Sequence, residues 1–292
     1  MRYFVFILIL FLVPLLSINT SHSEVFSFNK DSSVIGFSRI YNIQGTESLM
    51  EIARKFNLGY NEIAASNPDI DPFLPDADTP VIIPTSWILP DVASYNGIVI
   101  NLSEMRLYYF FQQKGINLVR TFPIGIGREG YDTPLGQFRI IQKQENPSWH
   151  PPESVRAEKP ELPKIVPPGP DNPLGTHSLR LSLNTYLIHG TNKPWGVGRR
   201  VSHGCIRLYP EDIPILFNLV KIGDKVEIVK QPIKIGVKDN KVFIEVHEDD
   251  FDNYFGEAFL LLTKKNLLER VHTGKLYYAL RKKSGEPFDI TY

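Results

Sequence analysis

The chain has almost no cysteine, no surplus of either charge and no apolar run long enough to cross a bilayer. One cysteine among 292 residues cannot form an intrachain disulfide, and zinc ribbons built on several thiolates are excluded as well. Lys plus Arg equals Asp plus Glu, at 32 each, so we expect no basic face for nucleic acid. Proline, tyrosine and phenylalanine, at 23, 13 and 18, favour β structure and ordered loops over a helical bundle.

Residues 1–23 have the pattern of a cleavable export signal. Arg2 precedes the apolar run Phe4–Leu16, and small residues at Ser21 and Ser23 suit a signal peptidase. The run is shorter than the roughly 18 residues that span a bilayer. We therefore expect an exported protein, with an uncleaved amphiphilic anchor as the alternative.

Residues 40–84 have the pattern of a small βααβ domain. Apolar residues recur at helical spacing from Leu49 to Phe56, and Asn67-Pro68 stops a second short helix. The segment resembles a LysM repeat, a family that binds glycans containing N-acetylglucosamine, as in peptidoglycan. A scaffold without glycan affinity is the alternative, and a linker is expected at 85–95. The resemblance rests on Tyr41, Gly45-Thr46, Leu49, Ile52-Ala53, Asn67-Pro68 and Ile83-Pro84.

Residues 97–229 are predicted to be a β-rich domain of mixed α/β class. Short apolar runs separated by Gly, Pro, Asn or Asp indicate strands, and a helix is convincing only at 212–220. Nine prolines between Pro147 and Pro173 predict a long, stiff loop without strand or helix interior. Trp149 and His150 within this Pro-rich segment suggest a lid or cleft wall, a surface spacer being the alternative.

Residues 230–292 are expected to form a small α/β extension of unknown role. A hairpin is predicted around Asp239-Asn240, and a helix from Ala258 to about Val271. The acidic cluster between them is most simply a solvated face.

The candidate chemistry centres on the only thiol, Cys205, with His189 sixteen residues earlier and Arg207 two residues later. A thiolate is the reactive form of cysteine, and a nearby imidazole can take the thiol proton and stabilise the resulting charge. Gly204 admits backbone conformations that a Cβ forbids, and the amides of Gly204 and Cys205 could stabilise an oxyanion. Arg207, on the same face of an extended segment, could hold a carboxylate by a bidentate fork.

Two other uses of these side chains are disfavoured. His189, His203 and Cys205 could ligate zinc, but there is no second thiol and no carboxylate in the HExxH spacing. A triad built on Ser202 is weaker because the better nucleophile lies three residues away. We expect no metal.

The motifs around these residues resemble the signature of the L,D-transpeptidase (YkuD) family, particularly its Gram-negative periplasmic members. The resemblance covers about residues 97–229, where spaced motifs occur in the family's order. They are His189-Gly190-Thr191, Ser202-His203-Gly204-Cys205-Ile206-Arg207-Leu208, Thr133–Phe138, Asn146–Trp149 and Asn172–Gly175.

The resemblance implies a β-sandwich-like catalytic domain of mixed sheets and a cysteine mechanism without metal or organic cofactor. Cys205 corresponds to the nucleophile and His189 to the general acid/base. The supporting residues implied are Gly190, whose carbonyl would orient His189, Ser202 and His203, Gly204 as an oxyanion amide, and Arg207, Trp149 and Thr191 as substrate contacts.

The activity implied is transfer of a peptidoglycan tetrapeptide stem, with loss of D-alanine, through a thioester in the periplasm. The acceptor amine is a diaminopimelate of another stem or a lysine of an outer-membrane lipoprotein, and the accessory regions favour the lipoprotein. A cysteine-dependent L,D-carboxypeptidase and a non-catalytic wall-binding protein are the alternatives.

Overall fold

The computed structural model of the protein describes residues 24–29, 32–183 and 185–292. The export signal expected at residues 1–23 lies outside the described residues. Within the part described, no helix has both the length and the apolarity needed to cross a bilayer.

Two strands with two helices between them form the middle of the N-terminal region. β3 and β4 pair antiparallel, with Arg39 opposite Ile83, and α1 and α2 lie between them in the chain. The predicted order of strand, helix, helix and strand over residues 40–84 is therefore present. The elements of this region are β1 (Val25–Ser27), β2 (Val34–Gly36), β3 (Arg39–Asn42), α1 (Leu49–Lys55), α2 (Tyr60–Ser66), β4 (Pro80–Ile83) and β5 (Ser86–Ile88).

The prediction of a linker at 85–95 is wrong for the first half of that range, which contains strand β5. Strand β5 pairs antiparallel with β2, and Trp87 and Leu89 are buried. The two prolines at positions 84 and 90 bound a short apolar strand rather than a flexible connection. The N-terminal unit, defined here as residues 34–89, thus runs without a free linker into the next domain.

The central domain is built on one mixed sheet of nine strands. Their order is β1-β8-β7-β6-β15-β10-β11-β12-β14, so the lead-in strand β1 joins the edge of this sheet. Helix α4 agrees with the helix predicted at 212–220. The elements are β6 (Gly97–Asn101), β7 (Arg106–Gln113), β8 (Ile116–Pro123), β9 (Ile126–Gly127), β10 (Gly136–Glu145), α3 (Glu153–Glu158), β11 (His177–Leu181), β12 (Leu187–His189), β13 (Arg200–Ser202), β14 (Ile206–Arg207), α4 (Asp212–Leu219) and β15 (Lys225–Val229).

The nine-stranded sheet curls around a single core. Phe122 of β8 and Ile206 of β14 come from opposite ends of the strand order, yet both belong to one buried cluster with Leu216 of α4. The β-rich, mixed α/β class predicted for this domain is confirmed. The expected pair of sheets is replaced by one continuous sheet that encloses its own core.

The N-terminal unit shares a core with the outer face of this sheet. Val99, Tyr108 and Phe110 of the central strands belong to the same buried cluster as Ile52 of α1 and Ile63 of α2. Because burial of apolar surface is the main stabilising term in folding, this contact joins the two parts into one body. The N-terminal unit is not an independently tethered module.

A buried ion pair crosses the same contact. The Arg106 guanidinium donates from Nε and Nη2 to the two carboxylate oxygens of Glu62, at 2.8 and 2.7 Å. Thr121 Oγ1 accepts a further hydrogen bond from Arg106 at 2.6 Å, and Trp87 Nε1 donates to Glu62 at 2.8 Å. Arg106 has no exposed surface, so its charge is neutralised entirely within the protein.

The C-terminal extension packs as a three-stranded sheet against two helices. The hairpin predicted around Asp239-Asn240 is confirmed, with both turn residues at positive φ. The helix predicted at 258–271 begins and ends earlier, at Tyr254 and Lys264. A second helix, Thr273–Lys282, was not predicted because its apolar face is narrow. The elements are β16 (Ile233–Lys238), β17 (Lys241–Val246), α5 (Tyr254–Lys264), α6 (Thr273–Lys282) and β18 (Phe288–Asp289).

A second buried charge cluster attaches this extension to the central domain. Lys234 Nζ lies 2.7 Å from Glu104 and 2.8 Å from Glu245. Tyr108 donates to Glu104 at 2.7 Å, and His247 Nε2 lies 2.6 Å from Glu245. The ammonium fills the space between the two carboxylates, so the cluster is an internal ion network and not a vacant cation site.

Replacing Glu62 by alanine tests how firmly the N-terminal unit is attached. Glu62→Ala leaves the Arg106 charge buried without a partner, and we expect the free energy of unfolding to fall by about 3–5 kcal/mol. Arg54→Gln is the matched control, because it breaks the half-exposed Arg54–Glu211 pair of the same interface at a cost of at most about 1 kcal/mol. Urea unfolding of both variants measures the difference, and equal losses would contradict the assignment.

Candidate active site

Two neighbouring parallel strands bring the candidate residues together. β12 ends at His189, which lies opposite Arg207 of β14, and Cys205 immediately precedes β14. The residues at 205 and 207 keep some exposure, whereas those at 206 and 208 are buried. The alternation is that of an extended chain, so Cys205 and Arg207 share one face as predicted.

His189 is held in a single tautomer by the backbone. It is 4% exposed, and its Nδ1 lies 2.6 Å from the carbonyl oxygen of Gly190. Because a carbonyl can only accept, Nδ1 carries the proton and Nε2 keeps its lone pair. Burial, and next the positive charge of Arg207, lower the pKa of His189 to about 3. The imidazole is therefore neutral at physiological pH and able to accept a proton.

Cys205 is a thiol at rest and not a preformed thiolate. Burial raises the pKa of the Cys205 thiol. A backbone hydrogen bond from Leu187 and the charges of Arg207 and Arg180 oppose that rise without cancelling it. The sulfur lies 3.7 Å from the carbonyl oxygen of Thr185, a long S–H···O contact. Burial thus favours the neutral forms of both Cys205 and His189 at rest, and a thiolate stabilised by an imidazolium stays a prediction for the reacting complex.

The turn before Cys205 requires glycine. Gly204 has φ +97°, and a Cβ there would lie 2.6 Å from Cε1 of Tyr186. Its N–H donates to Ser202 Oγ at 3.1 Å, and Ser202 Oγ donates to the Cys205 carbonyl at 2.5 Å. The Gly204 amide, expected as an oxyanion donor, is thus already engaged. Ser202 supports the turn by satisfying groups on both sides of it.

Thr133 fixes the same turn from a distant segment. It is buried, and its Oγ1 donates to the Gly204 carbonyl at 2.9 Å while accepting the Gly127 N–H at 3.0 Å. Thr133 belongs to a motif named in the sequence analysis, but no role was predicted for it. The signal that could have indicated it was a hydroxyl directly before Pro134, in a motif whose only other polar side chain is Gln137.

The Pro-rich segment between Pro147 and Pro173 is an ordered arch and includes the helix α3, contrary to the expectation of a loop without helix. This helix lies in the proline-free stretch 153–158, where the steric argument against helix does not apply. Trp149 forms a backbone bridge with Val166, and its side chain is half-buried.

Asn172 holds the two ends of the arch together. Its side chain is fully buried, and Nδ2 donates to the carbonyls of Pro147 at 2.8 Å and Pro167 at 3.1 Å. Its Oδ1 accepts the Leu174 N–H at 2.9 Å. An amide side chain can serve donors and acceptors at once, so Asn172 closes the base of the segment.

Four side chains, the Glu158 cluster, hold the arch to the catalytic turn. Glu158 of α3 contacts the guanidinium of Arg128, accepts from the Tyr131 hydroxyl at 2.9 Å and lies 3.3 Å from His203 Nε2. The ring of His203 packs edge-on against Tyr131, with centroids 4.4 Å apart. His203 therefore links the motif of Cys205 to the Pro-rich segment.

Two of the predicted substrate contacts, Arg207 and Thr191, differ in how far the protein already uses their polar groups. Arg207 is largely desolvated, which lowers its pKa, and none of the described side chains forms an ion pair with it. Its buried Nε has no hydrogen-bond partner among the described residues. Thr191 is only 3% exposed, and its Oγ1 accepts the Lys193 N–H at 2.9 Å. Thr191 shapes the turn after His189, and its role as a substrate contact stays a prediction.

Comparison with known proteins agrees with this geometry. The sequence model of the YkuD L,D-transpeptidase catalytic domain matches residues 95–228. The chain is 41% identical over 227 residues to the probable L,D-transpeptidase YcfS of Escherichia coli K12, covering 74% of this chain and 70% of that protein. Identity to the probable L,D-transpeptidase YbiS of the same strain is 41% over 224 residues, covering 74% and 72%.

Solved structures resemble about half of the chain. The catalytic domain of the E. faecium L,D-transpeptidase is 21% identical, with a TM-score of 0.36 over 47% of this chain and 99% of that chain. On the strength of the sequence relatives, the chain belongs to the L,D-transpeptidase (YkuD) family, which makes it an acyltransferase.

Glu158→Gln tests whether the Glu158 cluster holds down the Pro-rich segment. The amide removes the charge that attracts Arg128, and we expect faster backbone hydrogen exchange across 150–165 with unchanged exchange in β12. Glu161→Gln is the control, since Glu161 is an exposed carboxylate of the same segment without a contact in the described structure. Equal hydrogen-exchange rates across 150–165 in the two variants would show that the Glu158 cluster does not hold the Pro-rich segment to the catalytic turn.

Proposed function

We propose that the protein is an exported L,D-transpeptidase that acts on peptidoglycan stem peptides through Cys205. The observation that carries the proposal is the pairing of β12 with β14. This pairing places the neutral imidazole of His189, whose Nδ1 donates to the Gly190 carbonyl, beside the strand that Cys205 immediately precedes. The relatives in Escherichia coli support a periplasmic location.

Acylation begins from the neutral pair. As Cys205 Sγ attacks the carbonyl carbon of the third stem residue, Nε2 of His189 takes the thiol proton. The tetrahedral intermediate then collapses, the C–N bond to the terminal D-alanine breaks, and the imidazolium gives its proton to the departing amine. The products are a thioester on Cys205, free D-alanine and a neutral His189.

Deacylation reverses these roles. An acceptor amine attacks the thioester carbonyl, His189 accepts a proton from that amine, and the thiol is restored with this proton. The new amide replaces the one that was broken, so no oxidant, metal or nucleotide is required. The acceptor is a diaminopimelate of a second stem or a lipoprotein lysine, and water in its place would give the carboxypeptidase reaction.

Arg207 is the candidate anchor for the donor stem. A desolvated guanidinium without an ion pair favours a carboxylate, which stem peptides carry. Bound there, a carboxylate would neutralise the Arg207 charge and place the peptide on the face that Cys205 shares. With the Gly204 amide engaged, we assign the Cys205 amide and the positive field of Arg207 to the oxyanion.

The N-terminal unit is proposed to bind glycan as a LysM-like domain. The βααβ order and the exposed side chains of Phe73 and Leu74, in the connection between α2 and β4, support this assignment. Apolar side chains there could contact the apolar faces of sugar rings. Trp149, half-exposed on the Pro-rich segment, is proposed as a contact for the stem.

Covalent labelling tests the proposed nucleophile. We expect the mature protein incubated with a carbapenem to gain the mass of one inhibitor molecule, and Cys205→Ala to remain unmodified in intact-mass spectrometry. A tetrapeptide muropeptide with an added amine should then yield free D-alanine and a cross-linked product. Unmodified mass for both proteins would end the proposal, and a tripeptide product alone would indicate the carboxypeptidase.

The pH dependence of acylation tests the role of His189. Because its pKa is lowered to about 3, the imidazole stays unprotonated well below its ordinary value of 6.5. We expect the carbapenem acylation rate at about pH 5 to stay within about two-fold of the neutral rate, after correction for inhibitor hydrolysis. A base with the ordinary pKa would lose about thirty-fold over the same interval, and that loss would contradict the assignment.

A further inference from the structure

The N-terminal unit touches the chain immediately before the catalytic turn. The Tyr60 N–H at the start of α2 donates to the carbonyl of Val197 at 3.3 Å. The guanidinium of Arg199 lies over the Tyr60 ring, 4.2 Å from its centroid. Both contacts act on the stretch that leads into β13 and then to Cys205.

The same unit touches the chain immediately after the catalytic turn. The buried Tyr209 hydroxyl donates to the Leu58 carbonyl at 3.0 Å, four residues beyond Cys205. Asn57 Nδ2 donates to Asp212 Oδ1 at 2.9 Å, at the first residue of α4. Cys205 therefore lies between two points that are both held by the N-terminal unit, one by the first residue of α2 and the other by the connection between α1 and α2.

The Asp212 contact also reaches the imidazole. Ile213, the next residue, packs so closely on Gly190 that a Cβ there would lie 2.9 Å from Ile213 Cγ2. The carbonyl of Gly190 fixes Nδ1 of His189 at 2.6 Å. A shift at the start of α4 would thus be transmitted to the proposed base through a contact with no spare room.

The connection between α1 and α2 is itself rigidly held. Asn57 adopts φ +54°, its carbonyl accepts from Arg106 Nη2 at 3.1 Å, and the Gly59 N–H donates to Glu62 at 2.7 Å. Both partners belong to the buried ion pair described above. The connection between α1 and α2 is therefore fixed to the central sheet independently of its contacts with the catalytic segment.

We propose that the α1–α2 connection is a positioning element of the active site, with Asn57 and Tyr209 as positioning residues that set Cys205 and His189 for acyl transfer. Neither residue is assigned a contact with substrate. The proposal rests on Cys205 being the acylated nucleophile. It gives the N-terminal unit a role in the chemical step that is separate from any affinity for glycan.

A positioning role predicts a loss of rate beyond any loss of stability. Misplacement of reacting groups by about 1 Å can cost on the order of a hundred-fold in rate, even when the substituted residue is remote. Tyr209→Phe removes one hydroxyl and keeps the packing of the ring. Asn57→Ala removes one amide and adds backbone strain at φ +54°, which the melting temperature reports. Tyr254→Phe is the matched control, since it removes a buried hydroxyl that donates to the His247 carbonyl at 3.0 Å in the C-terminal extension.

The experiment measures the second-order rate of carbapenem acylation by intact mass, and the melting temperature, for the full chain and each variant. We expect Tyr209→Phe and Asn57→Ala to acylate at least about ten-fold more slowly than wild type, with the control at the wild-type rate despite a similar drop in melting temperature. Asp212→Asn keeps the Oδ1 acceptor for Asn57, so it should retain the wild-type rate.

The outcomes separate the two proposals. Wild-type rates in both Tyr209→Phe and Asn57→Ala, while wild type itself is acylated, would overturn the positioning role and leave the nucleophile intact. An unlabelled wild-type protein would overturn the proposed function itself. If Asn57→Ala does not fold, Tyr209→Phe decides the question alone, and equal slowing of the Tyr254→Phe control would reduce the effect to general destabilisation.

Discussion

The arrangement of the whole molecule depends on the buried ion pair between Glu62 and Arg106. Two charges withdrawn from water are tolerated only where each finds partners, and here both carboxylate oxygens and the donors that face them are used. The pair joins a helix of the N-terminal unit to a central strand, so the two cannot slide past each other. A glycan held by this unit would therefore be presented at a fixed distance from the thiol, and deleting the unit would expose one face of the central sheet.

In the function proposed above, a neutral thiol and a neutral imidazole suit an exported enzyme with one cysteine. Oxidants and disulfides react with thiolates, so a raised pKa keeps Cys205 unreactive until a substrate arrives. The proton then moves only when the acyl carbon is in place, because His189 keeps a free lone pair at all physiological pH values. Arg207 supports the second condition, since its charge disfavours the imidazolium, and it limits the first, since the same charge opposes the rise in the pKa of Cys205.

The strands of the central domain could be predicted because periodicity is a local property of the sequence, and motif spacing likewise singled out Cys205, His189 and Arg207 as candidates, which β12 and β14 bring near one another. The partners of those residues could not. Glu62 and Arg106 are 44 residues apart and Glu158 and His203 are 45 apart, and no local pattern indicates which charges will meet. The engagement of the Gly204 amide depends on a side-chain rotamer, and the burial of strand β5 depends on the sheet it covers.

The Pro-rich segment is held by two unpredicted sets of contacts that differ in strength, one at its base and one at its tip. At its base, the buried amide of Asn172 makes its hydrogen bonds away from water, where losing them would leave unpaired polar groups. At its tip, Glu158 is exposed, and solvent-exposed ion pairs contribute little to stability. The tip can therefore separate from the catalytic turn at small cost while the base stays closed.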